Sequence, residues 1–262
     1  MTMVMETLEK GIIRLKLDRE AKRNALDGHI VTEWLARLDE ITHQRDARVL
    51  LLTAAGKDFC AGADVSWMQK MATRSETLNR GDALQLATLF YRLYTLPIPV
   101  IAMVQGATRG GGMGIVCAAD IVIASEEATF GFPEARVGLA PSVISPFAIA
   151  ALGERRACYY FMTGETFSAR TAESHGLVQK IVPADAREST GLEMAQKILQ
   201  VSPNAVAETR KIVCQVSKLP VTEALMQVTA DHLATVRKSH DATEGLKAFM
   251  EKRPPVWSER HT

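Results

Sequence analysis

Between residues 12 and 17, Ile13, Leu15 and Leu17 alternate with Arg14 and Lys16, the period of a strand with one solvated face. The spacing then changes. Ile30, Trp34, Leu38 and Ile41 recur at three- and four-residue intervals behind Asp27, which predicts a helix capped by that aspartate. Arg48 to Thr53 is an almost unbroken apolar run and reads as a strand buried on both faces. It leads into a turn of small residues, Cys60-Ala-Gly-Ala-Asp64. The pattern returns twice. Pro99 to Gln105 is a second apolar strand entering a glycine-rich turn, Gly106 to Gly114, and Asp120 to Ala124 is a third, leading to Phe130-Gly-Phe-Pro-Glu134.

Strands that alternate with helical segments predict an α/β core with parallel pairing, in which ligands collect where strands end and helices begin. All three turns sit at such junctions. Beyond Val182-Pro183 the strand pattern stops. Residues from about 187 to 252 read as helical, with breaks at Pro203 and Pro220. Asp241-Ala-Thr-Glu244 resembles a capping box opening the last helix, which Arg253-Pro-Pro ends. The chain thus divides into an α/β body, 1–186, and a helical region, 187–262.

Composition narrows the function classes. The 262 residues are 47% hydrophobic and 23% charged, as in a globular chain with a sizeable core. A net charge of +1, with no basic tract, points away from nucleic acid and anionic membranes. Neither a secretory leader at Met1 to Glu6 nor a membrane-spanning run is expected. Cys60, Cys117, Cys158 and Cys214 lie far apart, which argues against a disulfide framework or zinc site and fits a reducing cytoplasm. His29, His43, His175, His232, His240 and His261 form no close metal-ligand pair, so surface or packing roles are expected.

Gly110-Gly111-Gly112-Met113-Gly114 is the strongest local signal. Successive glycines let a ligand approach the backbone, and the first N–H groups of a following helix can face a developing oxyanion. Neither the dinucleotide pattern Gly-x-Gly-x-x-Gly nor a Walker loop is present, so a nucleotide cradle is disfavoured. A triple glycine alone is more often a packing turn. The neighbouring turn Ala61-Gly62-Ala63-Asp64 changes the weighing, because donors from two adjacent turns suit a thioester enolate oxygen. Glu134, presented behind Pro133, is the candidate acid–base. Its alternative is a solvated acid in the first turn of a helix.

At these residues the chain resembles the crotonase, or enoyl-CoA hydratase/isomerase, superfamily. The resemblance runs from Asp18-Arg-Glu-Ala-Lys-Arg-Asn-Ala-Leu26 through Gly56 to Asp64, Gln105 to Gly114 and Phe130 to Gly138, to Glu244 to Arg253. It implies a spiral of ββα repeats with a C-terminal helical region for trimerisation, a trimer or hexamer, and an acyl-CoA substrate with no separate cofactor. It also implies an oxyanion hole from the N–H groups of Ala61 and Gly111. Coenzyme A contacts are implied at Arg23, Ala25, Gly62, Ala63, Asp64, Val65 and Gly110. Glu134 matches the second of the two glutamates of ordinary enoyl-CoA hydratases, whereas Gly114 stands where the first would be.

Trp67-Met-Gln-Lys-Met71 and Pro141-Ser-Val-Ile-Ser-Pro146 resemble a narrower branch, the bacterial methylglutaconyl-CoA hydratase type, which usually has a single glutamate. The expected reaction is reversible hydration of a 2-enoyl-CoA, 3-methylglutaconyl-CoA or a related branched glutaconyl-CoA. Arg109 could recognise the distal carboxylate of such a group, with a coenzyme phosphate contact or a plain surface charge as alternatives. Isomerisation or decarboxylation on the same scaffold, a non-catalytic acyl-CoA binder, and a nucleotide-binding α/β domain remain as other readings.

Overall fold

The computed structural model describes residues 2–217 and 219–259, so His261, Met1 and the last residues of the 187–262 region lie outside the described part. The chain opens with an antiparallel pair, β1 (Met3–Glu9) and β2 (Ile12–Leu17), of which β1 has no counterpart in the expectations above. Then follow α1 (Gly28–His43), β3 (Val49–Ala54), α2 (Val65–Ala72), α3 (Glu76–Tyr94), β4 (Val100–Val104), β5 (Ala107–Arg109) and α4 (Gly111–Ala118). Next come β6 (Ile121–Ser125), β7 (Thr129–Gly131), a 3-10 turn at Glu134–Val137, α5 (Ser145–Leu152) and α6 (Glu154–Thr163). The body ends with β8 (Thr166–Ser168), α7 (Ala169–Ser174) and β9 (Lys180–Val182).

The strands form two sheets, β1-β2-β3-β4-β6-β9 and β5-β7-β8. From β2 to β9 the larger sheet is parallel, as the alternation of strand and helix predicts. The chain repeatedly passes from the large sheet to the small one and into a helix, by β4, β5 and α4 and then by β6 and β7 toward α5. An isolated bridge between Cys60 and Thr108 gives β3 the same exit, ahead of α2. The three turns are therefore stacked as equivalent corners of one spiral.

Side-chain alternation along the parallel strands feeds two cores. Leu50, Leu52, Val100, Ala102 and Val104 face the cluster containing Trp34 and Phe90. Val49, Leu51, Ile101 and Met103 face the other side, where Ala195 and Leu199 cover them. Those two residues belong to α8 (Arg187–Leu199), so the first helix after residue 186 lies on the sheet. Its packing on the sheet explains why β3 and β4 read as apolar on both faces.

The helix after Asp27 forms as its spacing predicts. The Asp27 carboxylate accepts from the Ile30 N–H at 3.0 Å, and Ile30, Trp34, Leu38 and Ile41 are all buried. Beyond α8 lie α9 (Pro203–Val216), α10 (Glu223–Arg237), α11 (His240–Glu251) and α12 (Val256–Glu259). The cap of α11 differs from expectation. Ser239, two residues before Asp241, accepts from the Ala242 N–H at 3.1 Å. Asp241 instead turns to α9, accepting from the Ser202 hydroxyl at 2.6 Å and the Asn204 N–H at 3.2 Å. Glu244 likewise does not close a capping box; it pairs with Arg253 at 2.7 Å, past the end of α11. No helix among the described residues is long and apolar enough to cross a membrane.

Candidate functional site

The corners of the spiral meet around a cavity of about 410 Å³. Its walls include Ala61, Gly62 and Ala63 from the first corner, Gly110 and Gly111 from the second and Glu134 from the third. A mostly apolar pocket with a few convergent polar groups is the usual form of a small-molecule site. Sequence reasoning thus brings its three turns to one place. It does not bring all of its chosen residues there.

Local pairing decides which amides face the cavity. The Leu26 N–H donates to the Gly62 carbonyl and the Asp64 N–H to the Leu26 carbonyl, both at 2.7 Å. These two bonds form a parallel bridge between Leu26 and Ala63. In extended backbone, N–H groups alternate in direction, so the Ala63 N–H turns away from Leu26. It makes no hydrogen bond among the described residues, and Ala63 lines the cavity. Ala61 differs from expectation, because its N–H already donates to the Arg23 carbonyl at 3.0 Å. It lies at the cavity wall but has no free donor to offer. Two residues further on, the Ala63 amide is unpaired among the described residues and belongs to the cavity wall, next to the likewise unpaired amide of Gly62.

The second corner supplies the first turn of α4. Gly110 is its N-cap, at φ 48°, and its own N–H donates to the Gly131 carbonyl at 3.2 Å. That positive φ favours glycine, and a Cβ there would come within 3.1 Å of Glu134 Oε1. Gly111 is the first helical residue, and its N–H has no intrahelical partner and no other bond among the described residues. Two free amides, of Ala63 and Gly111, therefore belong to one cavity.

Glu134 opens the 3-10 turn behind Pro133. Its Oε2 is buried without a hydrogen-bond partner. Burial raises the pKa of this carboxyl above the ordinary range, opposed only by a hydrogen bond from its own backbone. A buried, unpaired carboxyl of raised pKa is suited to take up and return a proton.

The space at position 114 is closed. A Cβ on Gly114 would lie 2.6 Å from Phe90 Cζ and 2.7 Å from Ile144 Cγ2. Phe90 and Ile144 fill the place where a second carboxylate would otherwise project.

Four other residues singled out from the sequence lie off the cavity. Arg109 is held by the carbonyls of Thr108 at 3.0 Å and Thr129 at 2.7 Å and by the Thr129 hydroxyl at 3.0 Å. It does not line the cavity, so the proposed reading of a substrate carboxylate by Arg109 is not what this geometry provides. Arg23, in a left-handed conformation at φ 51°, pairs with Asp58 at 2.7 Å. Burial alone would raise the Asp58 pKa, but the Arg23 bond and the Ala107 N–H lower it. Ala25 is buried, and its carbonyl accepts from Arg19 at 3.0 Å. Asp64 caps α2, accepting from the Ser66 and Trp67 N–H groups. Val65, the first residue of α2, is exposed and lines the cavity.

One polar residue was missed. Asp82, on α3, lines the cavity together with Leu86 one turn later. An aspartate on a half-exposed helix reads as a solvated face, and only its four-residue spacing from Leu86 could have placed it. Among the described residues, Asp82 and Glu134 are the titratable groups of the wall, which includes no Lys, Arg or His. Among the described residues no group of three or more His, Cys, Asp or Glu side chains could hold a metal ion.

The comparisons with known proteins follow this geometry. Residues 7–260 match the family model for enoyl-CoA hydratase/isomerase. The chain is 35% identical over 248 residues to mevalonyl-coenzyme A hydratase of Aspergillus fumigatus, covering 94% of this chain and 91% of that one. An enoyl-CoA hydratase of Shewanella pealeana superposes with a TM-score of 0.94 at 35% identity, over 98% of this chain and 96% of that one. A Legionella pneumophila chain, provisionally named enoyl-CoA hydratase/isomerase (crotonase), superposes with a TM-score of 0.91 at 41% identity, covering 98% of both.

Glu134→Gln is expected to stabilise the fold at pH 8 more than at pH 4. With its folded pKa raised, the wild-type carboxyl contributes stability that is complete below its unfolded value, about 4.3, and is lost as pH rises through the folded value. Denaturant unfolding of both proteins at the two pH values measures this. An equal difference at both would mean that Glu134 is not strained by its burial.

Proposed function

The chain belongs to the enoyl-CoA hydratase/isomerase family and has its crotonase-like fold, and from that premise we propose that it is an enoyl-CoA hydratase-type lyase working through a single carboxyl. The observation that carries the reading is the convergence of two unpaired amides, Ala63 and Gly111, with the buried carboxyl of Glu134 in one apolar cavity. In this proposal the thioester oxygen of the substrate sits between the two N–H groups. Water adds to the β-carbon as Glu134 removes one of its protons, and the electron pair of the double bond moves onto the thioester oxygen. The resulting enolate collapses as the α-carbon takes the proton back from Glu134. Elimination of water is the same path reversed.

The magnitudes suit this division of labour. One oxyanion donor is typically worth about 10²–10³ in rate, and a positioned acid–base about 10²–10⁴. With Gly114 walled off by Phe90 and Ile144, the proton traffic falls to Glu134. Coenzyme A enters as part of the substrate, and no step needs another cofactor. The corner bearing Arg23, Ala25 and Asp64 stands behind the Ala63 turn, and its proposed part is to support that turn and the coenzyme A moiety.

The acyl group proposed is 3-methylglutaconyl or a related branched glutaconyl. Both segments that suggested it from the sequence are cavity walls, Trp67 and Met68 from the first, Pro141 to Ile144 from the second. Among the described residues the wall of one chain has no Lys or Arg, so the distal carboxylate of this group would reach solvent or a neighbouring subunit. A homotrimer or hexamer is part of the proposal. Leu246, Phe249 and Met250 on α11 are 64%, 83% and 76% exposed in the single chain, an apolar face that a second copy would cover.

Glu134→Gln is expected to lower kcat by about 10²–10⁴ while acyl-CoA binding is retained. Single-turnover assays with calorimetric binding test this, and near-normal turnover would move the acid–base role elsewhere. Mass spectrometry of the product separates hydration, which adds water, from isomerisation or decarboxylation. In a kinetic screen, kcat/KM for 3-methylglutaconyl-CoA should exceed that for crotonyl-CoA by about tenfold or more, the worth of one well-made contact. Equal values would remove the glutaconyl assignment. Sedimentation equilibrium should give a trimer or a multiple of it, and a monomer at micromolar concentration would contradict the oligomer.

A further inference from the structure

The free amide of Gly111 and the carboxyl of Glu134 stand on two different corners, so their spacing depends on how β5 is held to β7. The two strands pair in parallel, with Arg109 opposite Gly131. The Gly131 carbonyl accepts from the N–H of Gly110, the residue before Gly111, at 3.2 Å. Glu134 follows Gly131 in the chain after Phe132 and Pro133. At this seam the corners almost touch, since a Cβ on Gly110 would lie 3.1 Å from Glu134 Oε1. Strands of three residues have few ladder bonds with which to hold such a contact.

The Arg109 side chain lies across that seam. Its Cδ stands 3.5 Å from where a Cβ on Gly131 would be. Its guanidinium reaches back to the carbonyls of Thr108, on β5, and Thr129, on β7, at 3.0 and 2.7 Å, and to the Thr129 hydroxyl at 3.0 Å. Its backbone N–H donates to the Cys60 carbonyl at 2.9 Å, so the first corner is joined to the same residue. The side chain is half-buried and these three acceptors are neutral. Burying a charge in this way costs desolvation, and what the planar fork gains in return is a rigid tie between two strands.

We propose that Arg109 is a positioning residue for the reaction, holding the Gly111 amide and the Glu134 carboxyl at the spacing that water addition and proton return require. The inference rests on the proposed hydratase reading of the cavity. With the tie in place, the enolate oxygen and the proton carrier are set against each other before substrate arrives. Without it, both corners keep their own turns, but the seam between them slackens and Glu134 gains access to water.

Arg109→Met keeps the reach of the side chain and removes its donors, whereas Arg109→Lys keeps a charge and donors without the fork. The substrate is crotonyl-CoA or 3-methylglutaconyl-CoA, whichever the wild type turns over faster. In Arg109→Met kcat should fall by about 10²-fold, the order expected when reacting groups are slightly misplaced. The Kd of butyryl-CoA, which has no double bond to hydrate, should stay within about threefold. Arg109→Lys should restore part of the loss, to within about tenfold of wild type. The acid limb of kcat/KM against pH should move to lower pH in Arg109→Met, because a Glu134 reached by water loses part of the burial that raises its pKa. Hydrogen exchange read by mass spectrometry should quicken at residues 105–114 and 129–137 but not within α1, whereas general loss of stability would quicken all three. An unchanged kcat, a loss of binding as large as the loss of kcat, an acid limb that stays in place, or exchange that quickens equally in α1 would each overturn the proposal. If Arg109→Met does not fold, Arg109→Lys is put to the same measurements, with a fall in kcat of about threefold to tenfold expected and the same outcomes deciding. Should the wild type hydrate neither substrate, the hydratase reading fails by itself. The exchange comparison then decides whether Arg109 fastens the two corners.

Discussion

The bridge between Leu26 and Ala63 is the constraint on which the site depends. Two short hydrogen bonds, from Leu26 to Gly62 and from Asp64 to Leu26, hold the first corner extended and turn the Ala63 amide outward. The loop that carries Leu26 is pinned in its turn by buried Asn24, whose side chain donates to the carbonyls of Ala55 and Asp58, both at 2.8 Å. Asn24 sits at φ 56°, a conformation asparagine tolerates better than most residues. A buried polar side chain thus sets the direction of a backbone donor several residues away.

The rest of the cavity follows from repeating the same corner. Each pass of the chain leaves a parallel strand, touches the small sheet and enters a helix or a 3-10 turn. Backbone donors at strand-to-helix corners are fixed by main-chain pairing on both sides, so they need little reorganisation when charge appears. The price is two unpaired amides at the cavity wall and a buried carboxylate oxygen without a partner, tolerated beside a large two-sided core. Arg109 illustrates the same economy in reverse. Its guanidinium is tied to two carbonyls and a hydroxyl, cementing the second corner to Thr129 rather than reaching a ligand.

Much of this was legible along the chain. The 3.6-residue spacing after Asp27, the alternation in β2, the apolar runs of β3 and β4 and the two small-residue turns are local patterns, and each produced the element it implied. The cap of α11 was misplaced because Ser239 and Asp241 are both good capping residues. The choice between them was made by Ser202 and Asn204, which offer Asp241 other donors.

The sequence by itself determined that the first two corners would be made of small residues, and that Glu134 would follow a rigid proline. These depend on residue type and near neighbours. Only the tertiary structure decided that the Ala61 amide is consumed by Arg23 while Ala63 is left free, since a backbone group's partner comes from a loop about forty residues away. It decided likewise that Phe90 and Ile144 close the space beside Gly114, and that Asp82 faces the cavity with Trp67. Hydrogen-bond direction and exclusion of volume are properties of chains packed together, and residue spacing carries no record of them.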